Sequence, residues 1–509
     1  MFPYNSVLTP EILDNMGKFL PELTLIAAIL LVFIVELFFR KKTSVSGWIA
    51  LAALVPAFIF AIMQSSYQPS ALFFGMVVND PFSIFFKVLL LLSACLIILF
   101  SFLSDEVKKT EFKTQEYYAL ILCLTLGGFL MSSSVNLLMM YLSLELVSLS
   151  SYIMAGYFKK SRRSSEAALK YVIYGAVSSG LMLFGISIMY GMCGSTDIFV
   201  ISGFLSSNPV NIVTLLISII LILSGFGYKI SAVPFHFWTP DVYEGSPLPV
   251  TALLSVSSKA AGFAMLIRFF IITFQNTTAP MTQVNGVVNS FNILPGVHWN
   301  EIIAVIAVIT MTLGNVVAIW QDNLKRLLAY SSIAQAGYIL LAFAAVSPQG
   351  VSAMLIYLSV YLFMNLGAFF VAILISNKFG TESIEEMKGF GYRAPFLCVS
   401  MGVFMLSLSG IPATAGFVGK FYIFAALVNG GHIWLTILGL LNSVISLYYY
   451  IKILKNMFLI RPTDNSAVAY GAGYNILLLL LVVPTIVLGL YFAPLTRLAE
   501  YSIQMFGIK

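Results

Sequence analysis

The sequence predicts an all-α polytopic membrane protein with about fourteen transmembrane helices, and three observations lead there. Only 9% of the 509 residues are charged and 60% are hydrophobic, whereas soluble proteins average about 25% charged. Apolar runs of about 20 residues, the length that crosses a ~30 Å hydrocarbon core, recur from one end to the other. Lysine and arginine concentrate in alternate loops, as the positive-inside rule requires of a chain that crosses a bilayer repeatedly.

The runs lie at 20–39, 47–66, 82–103, 115–133, 136–158, 164–192, 212–240, 247–274, 301–320, 324–346, 350–377, 394–427, 431–454 and 473–493. The first lacks a basic leader and a small-residue cleavage site, and Arg40, Lys41 and Lys42 follow it at once. It therefore reads as a span and not as a signal peptide. With the N-terminus outside, the loops after odd-numbered spans face the cytoplasm and hold 17 of the 27 basic residues. The opposite side holds 3, namely Lys18, Arg497 and Lys509, so both termini are expected on the outer, periplasmic side.

Composition and spacing also exclude several roles. Cys95, Cys123, Cys193 and Cys398 stand far apart and show no metal-type or redox-type spacing, which argues against an iron–sulfur or other metal site. No G-x-G-x-x-G or P-loop is present, so nucleotide binding has no motif to rest on. A net charge of +6 belongs to the loops and implies no nucleic-acid partner.

Seven basic residues remain inside spans: Lys87, Lys170, Lys229, Lys259, Arg268, Lys420 and Lys452. A charge at mid-bilayer costs about 2.5–3.5 kcal/mol on insertion scales, so such residues face protein or water and mark transport paths. Lys87, Arg268 and Lys452 fall close to span ends, where a long side chain lifts its charge to the interface. Lys170, about 9 Å into the sixth span, fits either use. Lys259 lies about 18 Å beyond Pro247, and Glu145 about 13 Å from the outer end of its span; both read as functional, with a register-fixing buried ion pair as the bland alternative.

Two spans are over-long and interrupted. The seventh contains ISAVPFHF, with Pro234 and Pro240, and the twelfth contains LSLSGIPATAGFVGKF. Proline removes a backbone donor and clashes with the preceding turn, so both are expected to break, which in a membrane requires a protein or water lining. Span 7 runs inward and span 12 outward, five helices apart, which is the pattern of two inverted repeats, spans 4–8 and 9–13. His236 sits just past the first break; a structural histidine is as good a reading there as a proton relay.

The stretches VPFHFWTPDVYEGSPLPVTALLSVSSKAAGFAMLIRF, GNVVAIWQDNLKRLLAYSSIAQAGY and LSLSGIPATAGFVGKFYIF strongly resemble the proton-pumping, antiporter-like membrane subunits of respiratory complex I. The resemblance covers roughly residues 115–455, and the lysine at 420 and the short tail place it nearest the N-type branch. It implies an antiporter-like fold divided into residues 1–114 (spans 1–3), 115–275 and 276–457 (the two repeats) and 458–509. It further implies a mid-membrane polar axis of Glu145, Lys229, Lys259 and Lys420, with Lys170 and His236 as possible relays.

On the same resemblance this chain binds no cofactor. Flavin and iron–sulfur clusters are expected in partner subunits, quinone elsewhere in the complex, and other membrane-arm subunits and the lipid bilayer as partners. The location is a bacterial inner membrane or an equivalent energy-transducing membrane. A multisubunit cation/proton antiporter and the membrane arm of an energy-conserving hydrogenase share these features. A purely structural scaffold is a third reading, against which stands the cost of the deep charges.

Overall fold

The computed structural model describes residues 5–38, 43–108, 115–276, 283–284, 287–288, 291–461 and 466–505. The basic residues at 40–42, Lys109, Lys113 and Lys509, which contribute to the expected orientation, lie outside them. Every expected span maps onto helix. Among the described residues, twelve helices are long and apolar enough to cross a membrane unbroken. The first expected span, Leu20–Phe38, meets the helix before it at a bend of 79°, and the twelfth is split into Pro395–Ser409 and Ala415–Asn429.

Local chemistry fixes the ends of these helices. Span 3, Pro81–Leu103, starts at a capping box in which the Asp80 carboxylate accepts from the Ser83 N–H while Ser83 Oγ accepts from the Asp80 N–H; Pro81 fits the first helical turn, where no backbone donor is missed. Spans 6 and 11, Arg162–Cys193 and Pro348–Phe379, are both 32 residues long. Ser161 and Ser347 cap their starts, and Gly194 and Gly380 end them at φ 69° and 66°, the left-handed conformation that glycine adopts without strain.

The two five-helix repeats pack around span 8. Its most apolar stretch is wholly buried, and spans 10 and 11 follow at 89%, so these three form the interior while spans 6, 9, 13 and 14 face outward. Span 11 touches span 3, both halves of span 12 and span 14, tying the N-terminal helices to the second repeat. Outside the spans, Asn5–Lys18, Ile198–Ser207, Trp238–Gly245 and Ala493–Ser502 are short connecting or terminal helices. An antiparallel ribbon pairs Ser70–Leu72 with Val77–Asn79, Ser70 opposite Asn79. The stretch TPDVYEGSP between spans 7 and 8 is mostly the helix Trp238–Gly245, and Pro240 is tolerated there because it stands in the first turn, where no intrahelical donor is missed.

The expectation that Lys87 and Arg268 lift their charges to the interface is overturned. Lys87 is buried and its Nζ lies 2.7 Å from Glu22 Oε1 and donates to Gln64 Oε1 at 3.0 Å. Arg268 is fully buried; its guanidinium grips both Asp80 oxygens at 2.7 and 2.8 Å, donates to the Ser132 carbonyl at 2.9 Å and lies over the Phe82 ring. Both acids were legible as charges, but their partners stand 65 and 188 residues away, and only the fold brings them together. Lys452 does reach the boundary, where it pairs with the exposed Asp322 at 2.8 Å.

A bidentate guanidinium–carboxylate pair that is fully buried leaves an uncompensated charge when one member is removed, at a cost of about 3–5 kcal/mol. We expect Arg268→Ala to destabilise the chain by that amount, read as a lower thermal transition of the purified complex. Lys452→Ala, which breaks an exposed pair worth under ~1 kcal/mol, should leave the transition in place.

Candidate functional site

In a regular helix each carbonyl already accepts one hydrogen bond, so a lysine buried among helices needs acceptors from side chains, from helix ends or from a carbonyl's second lone pair. Three lysines meet that need in three different ways. Lys229 stands one residue before the end of Ile212–Ile230, where Ser231 turns left-handed at φ 63°. It is fully buried, and its Nζ donates to Ser148 Oγ at 3.1 Å. Ser148 lies on span 5, Leu137–Ala155, three residues after Glu145. Glu145 is half-buried, and among the described residues it makes no ion pair with Lys229.

Lys259 follows an irregularity the sequence does not announce. Span 8 runs as α-helix from Leu248 to Leu253, widens to a π-helical turn over Leu254–Ser258 and resumes at Lys259–Thr273. Such single π turns arise where a side chain must be re-aimed, often at functional positions. The turn carries Ser255, which accepts from Asn365 Nδ2 at 2.7 Å, and Ser257, which shares a 2.6 Å hydrogen bond with Ser93. Lys259 Nζ donates to the Ser332 carbonyl at 2.9 Å and to Ser332 Oγ at 2.7 Å, and Tyr361 Oη donates to the same hydroxyl at 3.0 Å.

Lys420 uses the second break. Pro395–Ser409 ends at Gly410, φ 88°, and the chain passes Ala413, φ 68°, before Ala415–Asn429 begins. Lys420 Nζ donates to the Ser409 carbonyl at 3.0 Å, one of the acceptors freed at the helix end, and sits 4.4 Å above the centre of the Tyr338 ring. A Cβ at Gly410 would lie 2.8 Å from Lys420 Cδ, so the glycine leaves room for the lysine stem.

Neutral polar side chains fill the interval between Lys259 and Lys420. Gln335 Nε2 donates to the Leu408 carbonyl at 3.0 Å and to Tyr450 Oη at 3.1 Å. Tyr357 Oη donates to Gln335 Oε1, and Ser331 Oγ shares a 2.6 Å bond with Tyr450 Oη. The sequence reading singled out none of these residues. A signal was present: in YSSIAQAGY, Ser331, Gln335 and Tyr338 recur at helical spacing of four and three and so share one face, a polar stripe on a helix that should be apolar all round.

The two possible relays are placed apart from this row. His236 is buried beside the Phe237 ring, and its Nδ1 has no hydrogen-bond partner. Lys170 is 38% exposed and is bound by Asp241 at 2.6 Å and Glu166 at 2.8 Å; it faces the mouth on the basic side of the molecule. The break at Pro234 is stapled to span 9 by the Val233 N–H, which donates to Thr310 Oγ1 at 2.9 Å.

The family model described as NADH:quinone oxidoreductase/Mrp antiporter, TM, matches residues 134–291 and 284–446, the two stretches that carry the broken helices and the lysines. NADH-quinone oxidoreductase subunit N 2 of Chloroherpeton thalassium is 49% identical over 497 residues, 96% of this chain and 95% of the relative. The chain belongs to the NADH-quinone oxidoreductase subunit N family. Subunit N of Chlorobium chlorochromatii is 44% identical and covers 97% of this chain and 96% of its own length. Among solved structures, a chain of respiratory complex I from Thermus thermophilus matches at 29% identity with a TM-score of 0.75, covering 94% of this chain and 99% of that chain. The subunit N fold thus extends over the whole chain, with the three N-terminal spans included.

Gly416 lies where the halves of span 12 pass closest, with its N–H donating to Ser407 Oγ at 3.0 Å, and a Cβ there would overlap the Ser407 carbonyl oxygen. We expect Gly416→Ala to push the halves apart and to lower the amount of this chain in assembled complex by at least about half, measured by immunoblot of membranes. The same change at Gly180, where a Cβ meets nothing within 4 Å, should be neutral.

Proposed function

We propose that this chain translocates protons as a membrane-arm subunit of an NADH-quinone oxidoreductase, with Glu145, Lys229, Lys259 and Lys420 as the groups that hold the moving charge. The observation that carries the proposal is the row of three buried lysines, each satisfied by neutral oxygens from serine side chains or backbone carbonyls. Each gives up a proton without breaking an ion pair. A carboxylate approaching a buried amine favours its protonated form, and a receding one favours proton loss. Glu145, one turn from the Lys229 contact, is the carboxylate positioned to act this way.

Protons enter from the cytoplasm near Lys229 and His236, pass along waters and hydroxyls to Lys259, continue by Gln335 and its tyrosines, and leave outward by Lys420. Lys170 guards the intake. The basic loops face the cytoplasm and both termini face the outer side of a bacterial inner membrane or its equivalent. The four divisions, 1–114, 115–275, 276–457 and 458–509, then act as an N-terminal clamp, two half-channels and a C-terminal brace. Redox chemistry belongs to flavin and iron–sulfur clusters in partner subunits, and quinone reduction elsewhere in the complex supplies the free energy. A role in a multisubunit cation/proton antiporter rests on the shared family model; sodium-dependent exchange without partner flavoproteins would favour it.

We expect Lys229→Ala or Lys259→Ala, in an assembled complex, to lower NADH-driven proton translocation by at least about tenfold, since a positioned acid–base group contributes about a hundredfold or more to proton transfer. Proton uptake and quinone reduction are measured together in membrane vesicles. If both remain at the parent level, the lysine row has no part in pumping.

A further inference from the structure

A second group of charges lies outside the lysine row, at the mouth on the basic side. A cavity of about 200 Å³ is lined by Arg163, Glu166, Lys170, Asp241, Glu244 and Arg326. Asp241 stands at its centre. One carboxylate oxygen accepts from Lys170 Nζ at 2.6 Å and the other from Arg326 at 2.7 Å; Arg326 also reaches Glu244 at 2.8 Å, and Lys170 reaches Glu166 at 2.8 Å. Lys170 belongs to the first repeat, on span 6, and Arg326 to the second, at the start of span 10, Leu324–Phe343. Two acids on the short helix Trp238–Gly245 therefore reach Arg326 of the second repeat, and Asp241 is the one that also binds Lys170 of span 6.

Beneath this cluster lies a stack of aromatic rings on the same elements. Tyr171, next to Lys170, stacks on Trp238, one turn before Asp241, at 4.3 Å between ring centres and 18° between planes. Tyr152 and Tyr228 close the sides at 4.9 Å from Tyr171 and 5.4 Å from Trp238. Trp238 Nε1 donates to the Tyr228 carbonyl at 3.0 Å, and Tyr228 immediately precedes Lys229. Tyr171 and Trp238 are 0% and 1% exposed, and the stack adjoins both regions, since Tyr171 follows Lys170 of the cavity and Trp238 is hydrogen-bonded to the residue before Lys229. Two hydroxyls inside it, Tyr171 Oη and Tyr243 Oη, are buried with no hydrogen-bond partner, an expensive state that water relieves when the stack opens.

We propose that Asp241 is the latch of the intake: its two ion pairs, one to each repeat, hold the Tyr171–Trp238 stack shut over Lys229, and releasing either pair admits water. This rests on the pumping role proposed above. Asp241 is a positioning residue, because it acts through the rings and touches no lysine of the row. A two-armed latch suits a pump, since the path must be closed to bulk water except when the repeats move relative to one another. Burial alone raises a carboxyl pKa, but the hydrogen bonds from Lys170 and Arg326 outweigh it and hold Asp241 below the usual carboxylate range. A depressed folded pKa means the pairs are intact above about pH 4 and fail only as the pH falls through the lowered value, so the latch answers to motion and not to working pH.

The test places a reporter thiol under the stack. In the assembled complex, with Cys95, Cys123, Cys193 and Cys398 replaced by alanine, Ser151→Cys introduces a thiol at a fully buried position on span 5. Inside-out vesicles are treated with a membrane-impermeant maleimide, and labelling is read on this chain. Asp241→Asn and, independently, Arg326→Gln should raise the labelling rate by at least about tenfold through local opening, Asp241→Glu should restore the parent rate, and the parent rate should stay flat between about pH 6 and pH 9. Unchanged labelling in both Asp241→Asn and Arg326→Gln would overturn the latch. Labelling is read without turnover, so its failure is separate from that of the pumping role, which the lysine variants test; retained quinone reduction shows that each variant has assembled.

Discussion

An ammonium group at mid-membrane must find oxygen acceptors, and an unbroken helix offers few, because each of its carbonyls already accepts one hydrogen bond. The site follows from that constraint. Lys420 takes a carbonyl released by the break in span 12, Lys229 takes a serine hydroxyl beside the break in span 7, and Lys259 takes both oxygens of Ser332. The breaks need protection from lipid in turn, which is why the interior spans 8, 10 and 11 are almost wholly buried while lipid-facing helices stay regular.

The chain handles its buried charges in two ways. Near the ends of spans 3 and 8, Arg268 and Lys87 are matched with Asp80 and Glu22, and a matched pair in a low-dielectric setting is rigid and slow to change. In the row, each lysine is held by neutral oxygens and by no ion pair among the described residues, which suits the changes of charge that the proposed pumping role requires. Ion pairs reappear at the mouth on the basic side, but there they join separate repeats through Asp241 and Glu244. On the proposed function, pairing marks what stays fixed or moves as a unit, and its absence marks what titrates.

Much of this was legible in the sequence. Run length placed most spans to within a few residues, the seventh excepted, whose helix ends at Ile230 and not at 240; Pro234 and the SGIP stretch marked both breaks, and depth along the helix singled out Glu145 and Lys259. What could not be read was any fact that depends on two distant segments meeting. Arg268 looked like an interfacial arginine because its partner is 188 residues away. The π turn at Leu254–Ser258 contains neither glycine nor proline, so no local rule points to it. The polar lining from Ser331 to Tyr338 was visible as a stripe, but serine and tyrosine are too common in membrane helices for the stripe alone to mean a path.

The Glu22–Lys87 contact bears on how the three N-terminal spans relate to the repeats. Lys87 is on span 3 and draws its countercharge from span 1. A shortened chain that loses span 1 exposes an unmatched cation to hydrocarbon on the flank of an otherwise intact domain. The first span and the residue at 87 therefore form a single unit of inheritance: a lineage or a designer can discard the helix only after position 87 has become neutral, and can install a lysine there only while the helix is present.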